Sequence, residues 1–254
     1  MSQASTYKAD RVTIGRISID NITFEEAVAR IIHFAQNARS DFVVTPNVDH
    51  VVNLEKDEEF RRVYEAASLV VADGMPLVWG SKLIRRPLKE RITGADLLPR
   101  LCEEAAKHGL KVFFLGGPPG AADLASKKLC ERWPALQVSG TYSPPFGFEK
   151  DQEENKKIIK LINHSSPNIV FVGLGAPKQE KWIFHHHEQL NVGVLLGIGA
   201  AIEFAAGTVK RAPRWVQKIG LEWFFRLCQE PRRLAKRYAK DVIFIFILLK
   251  TWLS

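Results

Sequence analysis

The feature that most restricts this fold is a repeated change of period. Short runs rich in Val, Ile, Leu and Phe, at 42–45, 69–72, 111–115, 137–141, 168–173 and 193–198, alternate with helical patterns. Strands separated by helices are the signature of βαβ units around a parallel sheet. Their Val, Ile, Leu and Phe content suits strands covered on both faces. The predicted class is α/β, a doubly wound and mainly parallel sheet in a body over residues 1–207. A piece over 11–19 alternates and predicts an edge strand. Thr23-Phe-Glu-Glu26 reads as a capping box opening a helix over 24–37. Thr93-Gly-Ala-Asp96 opens another, to about 107, which Gly109 stops. Pro119 begins a helix that Pro134 ends, and 151–163 and 177–189 complete the set.

Charge divides the chain unevenly. Residues 1–209 carry 25 Lys and Arg against 25 Asp and Glu, whereas 210–254 carry 11 against 3, the whole of the net +8. The tail also holds Trp215, Trp223 and Trp252 and the run V-I-F-I-F-I-L-L at 242–249. Pro213 and Pro231 divide it into two or three helical pieces. This predicts a helical appendage over 208–254 that works against an anionic surface. An eight-residue apolar run covers only about 12 Å as a helix, too short to span a bilayer but able to lie in one. An apolar tail could equally pack as an ordinary terminal helix or mediate homo-oligomer formation. Three scattered cysteines without metal-ligand spacing suit free thiols in a reducing compartment. The first 20 residues have no apolar core of the kind a secretory signal needs.

Six motifs could carry chemistry. In T-P-N, Pro46 holds Thr45 extended and sets a hydroxyl and the Asn47 carboxamide beyond a strand end, where open α/β sheets bind ligands; a capped turn is the simpler reading. In V-V-A-D-G an apolar strand runs into Asp73, and partial desolvation there would raise its pKa toward that of a useful general base. The alternative is a cap for a helix from Met75, and Asp49 is a rival carboxylate. Arg85, Arg86, Lys89 and Arg91 form a basic stretch; Arg91, just before the helix start at Thr93, is the candidate for a phosphate or sugar contact. F-L-G-G-P-P-G puts Gly116 and Gly117 between a strand and a helix start, the geometry that receives a nucleotide. V-G-L-G-A-P-K-Q-E-K-W places Lys178, Gln179 and Glu180 in the first turn of a helix. L-G-I-G-A-A-I-E-F-A-A-G contains Glu203 as a lone acid in an apolar helix; buried, it needs a partner such as ribose hydroxyls or an arginine.

Two other functions fit the bare composition. A nucleotide-dependent oxidoreductase is disfavoured because G-x-G-x-x-G is missing, and Gly140 and Thr141 stand where its ribose acid belongs. A nucleic-acid protein using the basic tail is disfavoured by the apolar end of that tail. There is no D-x-D, the usual sugar-nucleotide metal site, and His185, His186 and His187 do not share a helix face.

The ordered set T-P-N, A-D-G, R-x-T-G-x-D, G-G, G-x-G-x-P-K-Q-E and R-A-P-x-W…G-L-E-W…R-L…E-P-x-R resembles the WecG/TagA/CpsF glycosyltransferase family, from about Val12 to Tyr238. The resemblance implies a Rossmann-like, inverting, metal-independent transferase without a cofactor. It implies transfer from a UDP-sugar to a sugar on undecaprenyl diphosphate, at the cytoplasmic face of the membrane, for cell-surface polysaccharide. It puts Asp73 on the proposed catalytic base, Thr45 and Asn47 on sugar-positioning residues, and Arg91 and Gln179 on further active-site positions. Arg226, Arg233 and Lys236 fall on appendage positions thought to meet diphosphate. Lys236 stands where arginine is expected and lacks its bidentate fork, a role Arg237 could take. Glu203 stands where a shorter aspartate is frequent.

Overall fold

The computed structural model describes residues 10–253, apart from the side chains of Lys218, Arg233, Lys236 and Arg237. The chain opens on β1 (Arg11–Ile14) and β2 (Ile17–Asp20), then α1 (Phe24–Gln36), β3 (Asp41–Val44), α2 (Val48–Leu54), α3 (Glu58–Ala66), β4 (Leu69–Val70), α4 (Met75–Leu83), α5 (Gly94–His108), β5 (Lys111–Gly116), α6 (Ala121–Arg132), β6 (Gln137–Tyr142), α7 (Gln152–Ser165), β7 (Ile169–Gly173), α8 (Lys178–His186), β8 (Val194–Gly197) and α9 (Ala201–Ala206). The tail forms α10 (Arg214–Lys218), α11 (Glu222–Gln229), α12 (Pro231–Asp241) and α13 (Ile243–Leu253).

The six apolar runs become one six-stranded sheet, ordered β4-β3-β8-β7-β5-β6, with every neighbouring pair parallel. Right-handed crossovers send helices to one face when the chain steps toward β4 and to the other when it steps toward β6. Two cores follow. Val44, Val70, Phe113, Leu115 and Val170 face α3, α7 and α8, whereas Val43, Leu69, Phe114, Phe171 and Leu196 face α1, α5, α6 and α9. This is the doubly wound architecture the sequence predicts. The capping box at Thr23 and Glu26 is present, and Gly109, at φ +65°, ends α5.

Local differences have physical causes. Residues 11–19 are not an edge strand of the sheet but a separate antiparallel hairpin, β1–β2, turned at Gly15. The free edge of β4 is unavailable because the Val70 amide donates to the Asp20 carboxylate at 2.8 Å, and Arg11 holds that carboxylate from the other side. Residues 48–66, where the sequence reading placed no helix, form α2 and α3; Asn47 and Asp57 cap them, α2 buries nearly its whole circumference, and α3 buries Phe60, Val63 and Tyr64 at helical spacing. The helix assigned to Pro119 starts two residues later, at Ala121.

The tail makes four helices, not two or three, and its last one is split by burial. Phe244, Ile247 and Leu248 of α13 enter the core shared with the hairpin and α3, and the Gly15 amide donates to Thr251 Oγ1. Ile243, Ile245, Phe246, Leu249, Trp252 and Leu253 remain exposed. Among the described residues no helix is long and apolar enough to cross a membrane.

Candidate active site at the carboxyl edge of the sheet

The strands β5, β7 and β8 all end in glycine. Gly116 has φ +114°, and a Cβ there would collide with the Gly173 carbonyl. The Gly117 amide donates to that same carbonyl at 2.9 Å, and a Cβ on Gly173 would stand 2.9 Å from the Gly199 carbonyl. Three turns therefore approach one another through backbone, with the Ile202 side chain packed against Gly117 and Gly173. Gly116 and Gly117, predicted to receive a nucleotide, sit at this contact.

Asp73 follows β4 at the same edge. Its amide donates to the Pro46 carbonyl at 2.7 Å, and Ile92 donates to the Ala72 carbonyl, so the turn is pinned on both sides. Asp73 does not cap the next helix. The N-cap of α4 is Gly74, which offers no side-chain cap. The half-buried Asp73 carboxyl is pushed up to about 6, first by burial and then by the Glu222 carboxylate; Arg91, His50 and a hydrogen bond from the Gly94 amide oppose the rise. A carboxylate poised there can accept a proton from a substrate hydroxyl near neutral pH.

Thr45 and Asn47 stand beside it, and both are engaged. Thr45 is buried and donates through Oγ1 to the Gly197 carbonyl at 3.0 Å, tying β3 to β8. Asn47 caps α2, accepting from the Asp49 amide, and its Oδ1 lies 2.8 Å from His50 Nδ1. Gln179 accepts through Oε1 from the amides of Gly199 and Gly175 and donates through Nε2 to Glu180 Oε1 at 2.7 Å. Glu180, fully buried, also meets His50 Nε2 at 3.3 Å. One polar chain thus runs from the β8 turn through Gln179, Glu180 and His50 to Asn47.

Arg91 is brought to the site but is not unattended. It pairs with Glu222 at 3.0 Å and with Asp96 at 3.4 Å, and Arg211 pairs with Asp96 at 2.6 Å and Glu222 at 3.2 Å. Two residues of the segment after Gly207 (Arg211 and Glu222) thereby interlock with two of the body (Arg91 and Asp96). Lys178 is held by Glu149 at 2.7 Å.

Other predicted positions lie further out. Glu203 is half-buried on α9, not the buried acid expected, because that side of the short helix is only partly covered. Arg226, one turn after Glu222 on α11, lies over the Phe204 ring at 5.5 Å with its Nε buried and without a hydrogen-bond partner among the described residues. Arg233, Lys236 and Arg237 are carried by α12, and their side chains lie outside the described residues. The three consecutive histidines point apart: His185 to Glu59, His186 to Trp182 and His187 to the Ser40 carbonyl. His50, Arg211 and Glu222 are the site residues that sequence reading misses. Glu222 was legible only as part of G-L-E-W, and His50 carried no signal of its own.

Residues 12–254 match the Glycosyl transferase WecG/TagA/CpsF family model. The N-acetylglucosaminyldiphosphoundecaprenol N-acetyl-beta-D-mannosaminyltransferases of Staphylococcus aureus strains MW2 and NCTC 8325 are each 31% identical over 242 residues, covering 94% of this chain and 92% of theirs. Neither an oxidoreductase nor a nucleic-acid-binding reading gains support from these likenesses. With the family match running through the Asp73 turn, the glycine cleft and the whole tail, the chain belongs to the WecG/TagA/CpsF family of glycosyl transferases.

Proposed function

We propose that this enzyme transfers N-acetylmannosamine, or a closely related hexose or uronic acid, from a UDP-sugar to N-acetylglucosamine carried on undecaprenyl diphosphate. The names of the Staphylococcus aureus relatives support the donor sugar and the acceptor. The single observation that carries the chemistry is Asp73, a carboxyl poised at about 6 in the turn after β4, at the edge of the parallel sheet where β5, β7 and β8 end in glycine.

In this reading Asp73 takes the proton of the acceptor hydroxyl as its oxygen attacks the anomeric carbon, in one displacement with inversion. The nucleotide lies along the turns at Gly116 and Gly117, between the end of β5 and the start of α6. Thr45, Asn47 and Gln179 act on the sugars mainly by shaping the wall, since their side chains are already hydrogen-bonded within it. Glu203 would reach a ribose from the rim. Charge on the departing diphosphate is met by Arg226 and by Arg233, Lys236 and Arg237 of α12, with Arg91 at the mouth.

The same reading sets the protein at the inner face of the cell membrane. The exposed side of α13, with Trp215, Trp223 and Phe224, supplies apolar contact. Basic residues near an anionic leaflet add on the order of 1 kcal/mol each. The experiment is a transfer assay with UDP-N-acetylmannosamine and a synthetic polyprenyl-diphosphate N-acetylglucosamine, run beside a panel of other UDP-sugars. Product with one donor and none from Asp73→Asn is expected; no product with any UDP-sugar would reject the reading. Full-length protein should sediment with anionic vesicles more than with neutral ones, and equal sedimentation would remove the docking role of the tail.

A further inference from the structure

Arg211 is a cation beside the candidate site that the transfer step leaves without a task. It lies between α9 and α10 and joins a closed ring of four charged side chains. Each carboxylate of the ring gives one oxygen to each guanidinium. Asp96 receives Arg211 on Oδ1 at 2.6 Å and Arg91 on Oδ2 at 3.4 Å. Glu222 receives Arg211 on Oε1 at 3.2 Å and Arg91 on Oε2 at 3.0 Å. The four side chains are 17–35% exposed, so water screens their charges only in part. The two arginines differ in what they have left to give. Arg211 donates from every guanidinium nitrogen, through Nε to Glu222, through Nη1 to Asp96 and through Nη2 to Thr93 Oγ1 at 3.3 Å. Arg91 donates only from its two terminal nitrogens, and its Nε–H has no partner among the described residues. The Ile92 amide donates to the Ala72 carbonyl at 2.8 Å, which sets Arg91 beside the Asp73 turn.

We propose that Arg211 is a positioning residue that takes up the charge of Asp96 and Glu222, so that Arg91 keeps its own for the diphosphate of the UDP-sugar. The proposal rests on Arg91 meeting that diphosphate. With Arg211 in place, two guanidinium groups face two carboxylates and the ring sums to zero. Without it, Arg91 alone faces both carboxylates, and the cluster carries a net negative charge that repels an incoming diphosphate. Unit charges a few ångströms apart interact strongly where burial lowers the effective dielectric. Burial pushes the Asp96 carboxyl up, but the hydrogen bond and charge of Arg211, helped by Thr93 and Arg91, hold it below the ordinary aspartate value, so the ring stays fully charged. Thr93 donates to Asp96 Oδ2 at 2.8 Å, which fixes that carboxylate from the body side. The segment after Gly207 thus brings one charge of each sign. Glu222 by itself would neutralise Arg91, and Arg211 offsets it.

The test is the affinity of the full chain for UDP, measured by calorimetry at low salt. Arg211→Gln should weaken UDP binding about tenfold, and the loss should shrink at high salt. Asp96→Asn or Glu222→Gln, added to Arg211→Gln, returns the ring to zero charge and should recover most of the affinity, which a purely structural tie between tail and body would not allow. Wild-type affinity in folded Arg211→Gln overturns the proposal, as does a loss that neither second substitution recovers. If Arg211→Gln does not fold, Asp96→Asn and Glu222→Gln in the otherwise wild-type chain decide. Each leaves the ring with a net positive charge, and UDP should bind more tightly; unchanged or weaker binding in either overturns the proposal. Arg91→Gln tests the reading beneath it. That variant should bind UDP more weakly and should not be recovered by Asp96→Asn. Wild-type affinity there, or recovery, would reject the contact of Arg91 with diphosphate, so the two failures are distinguishable.

Discussion

At the ends of β5, β7 and β8 the chain places glycines: Gly116, Gly117, Gly173 and Gly199 let three turns approach through backbone, with only apolar Ile202 and Ala121 packed against them. At the ends of β3 and β4 it does the reverse, and packs His50 and Asn47 into one polar cluster reached by Glu180 and Gln179, with the Asp73 turn pinned to the Pro46 carbonyl. Both halves belong to the same parallel sheet. The difference teaches how one edge serves two substrates. In the proposed reading the glycine turns would receive the phosphate-bearing donor, whereas the acceptor hydroxyl needs a carboxylate whose proton affinity has been set by its neighbours. The tail joins the halves, because α11 carries Glu222 to the polar side and Arg226 toward α9.

The largest effect should separate the halves outright. Asp73→Asn should lower kcat by about 10²–10⁴-fold while UDP-sugar binding, measured by calorimetry, stays at the wild-type level; loss of donor binding would mean that the halves are not independent. On the glycine side, Gly116→Ala puts a Cβ against the Gly173 carbonyl at a φ of +114°. It should cost about 3 kcal/mol in urea unfolding, and an unchanged midpoint would show that the close approach is relaxed in solution.

The polar half also predicts a stability cost for its chemistry. The folded protein holds the Asp73 proton up to about 6 against the ordinary aspartate value of 3.8. That raised value stabilises the fold at low pH, and the contribution is lost as pH rises through 6. Asp73→Asn should therefore be more stable than wild type near pH 8, by up to about 3 kcal/mol, less whatever the Gly94 hydrogen bond contributes. The gap should close below about pH 4, and thermal unfolding across that range checks it. The smallest effect concerns the tail. Glu222 raises the Asp73 carboxyl, so Glu222→Gln should shift the acid limb of kcat/KM downward, by about half a pH unit. A limb that moves upward would mean that Glu222 acts through Arg91 and not directly.

Periodicity alone determined the class of fold, the six strands and most helices. Short apolar runs between helical patterns read as strands covered twice, although the apolar run at 242–249 folds as part of the tail helices, and caps such as Thr23 and Thr93 mark where helices begin. Asp73 was readable as a base candidate because a strand that ends in Asp-Gly must present its carboxylate at the sheet edge. The hairpin at residues 11–20 was not, since the Asp20 carboxylate closes the β4 edge from 50 residues away. Tertiary structure decided which charges meet. Arg91, Asp96, Arg211 and Glu222 span 131 residues of separation, and His50 and Glu180 span 130. Ionisation depends on burial and on neighbours within a few ångströms. No local pattern carries that information, because the strand order that brings β3 beside β8 is set only when the sheet assembles.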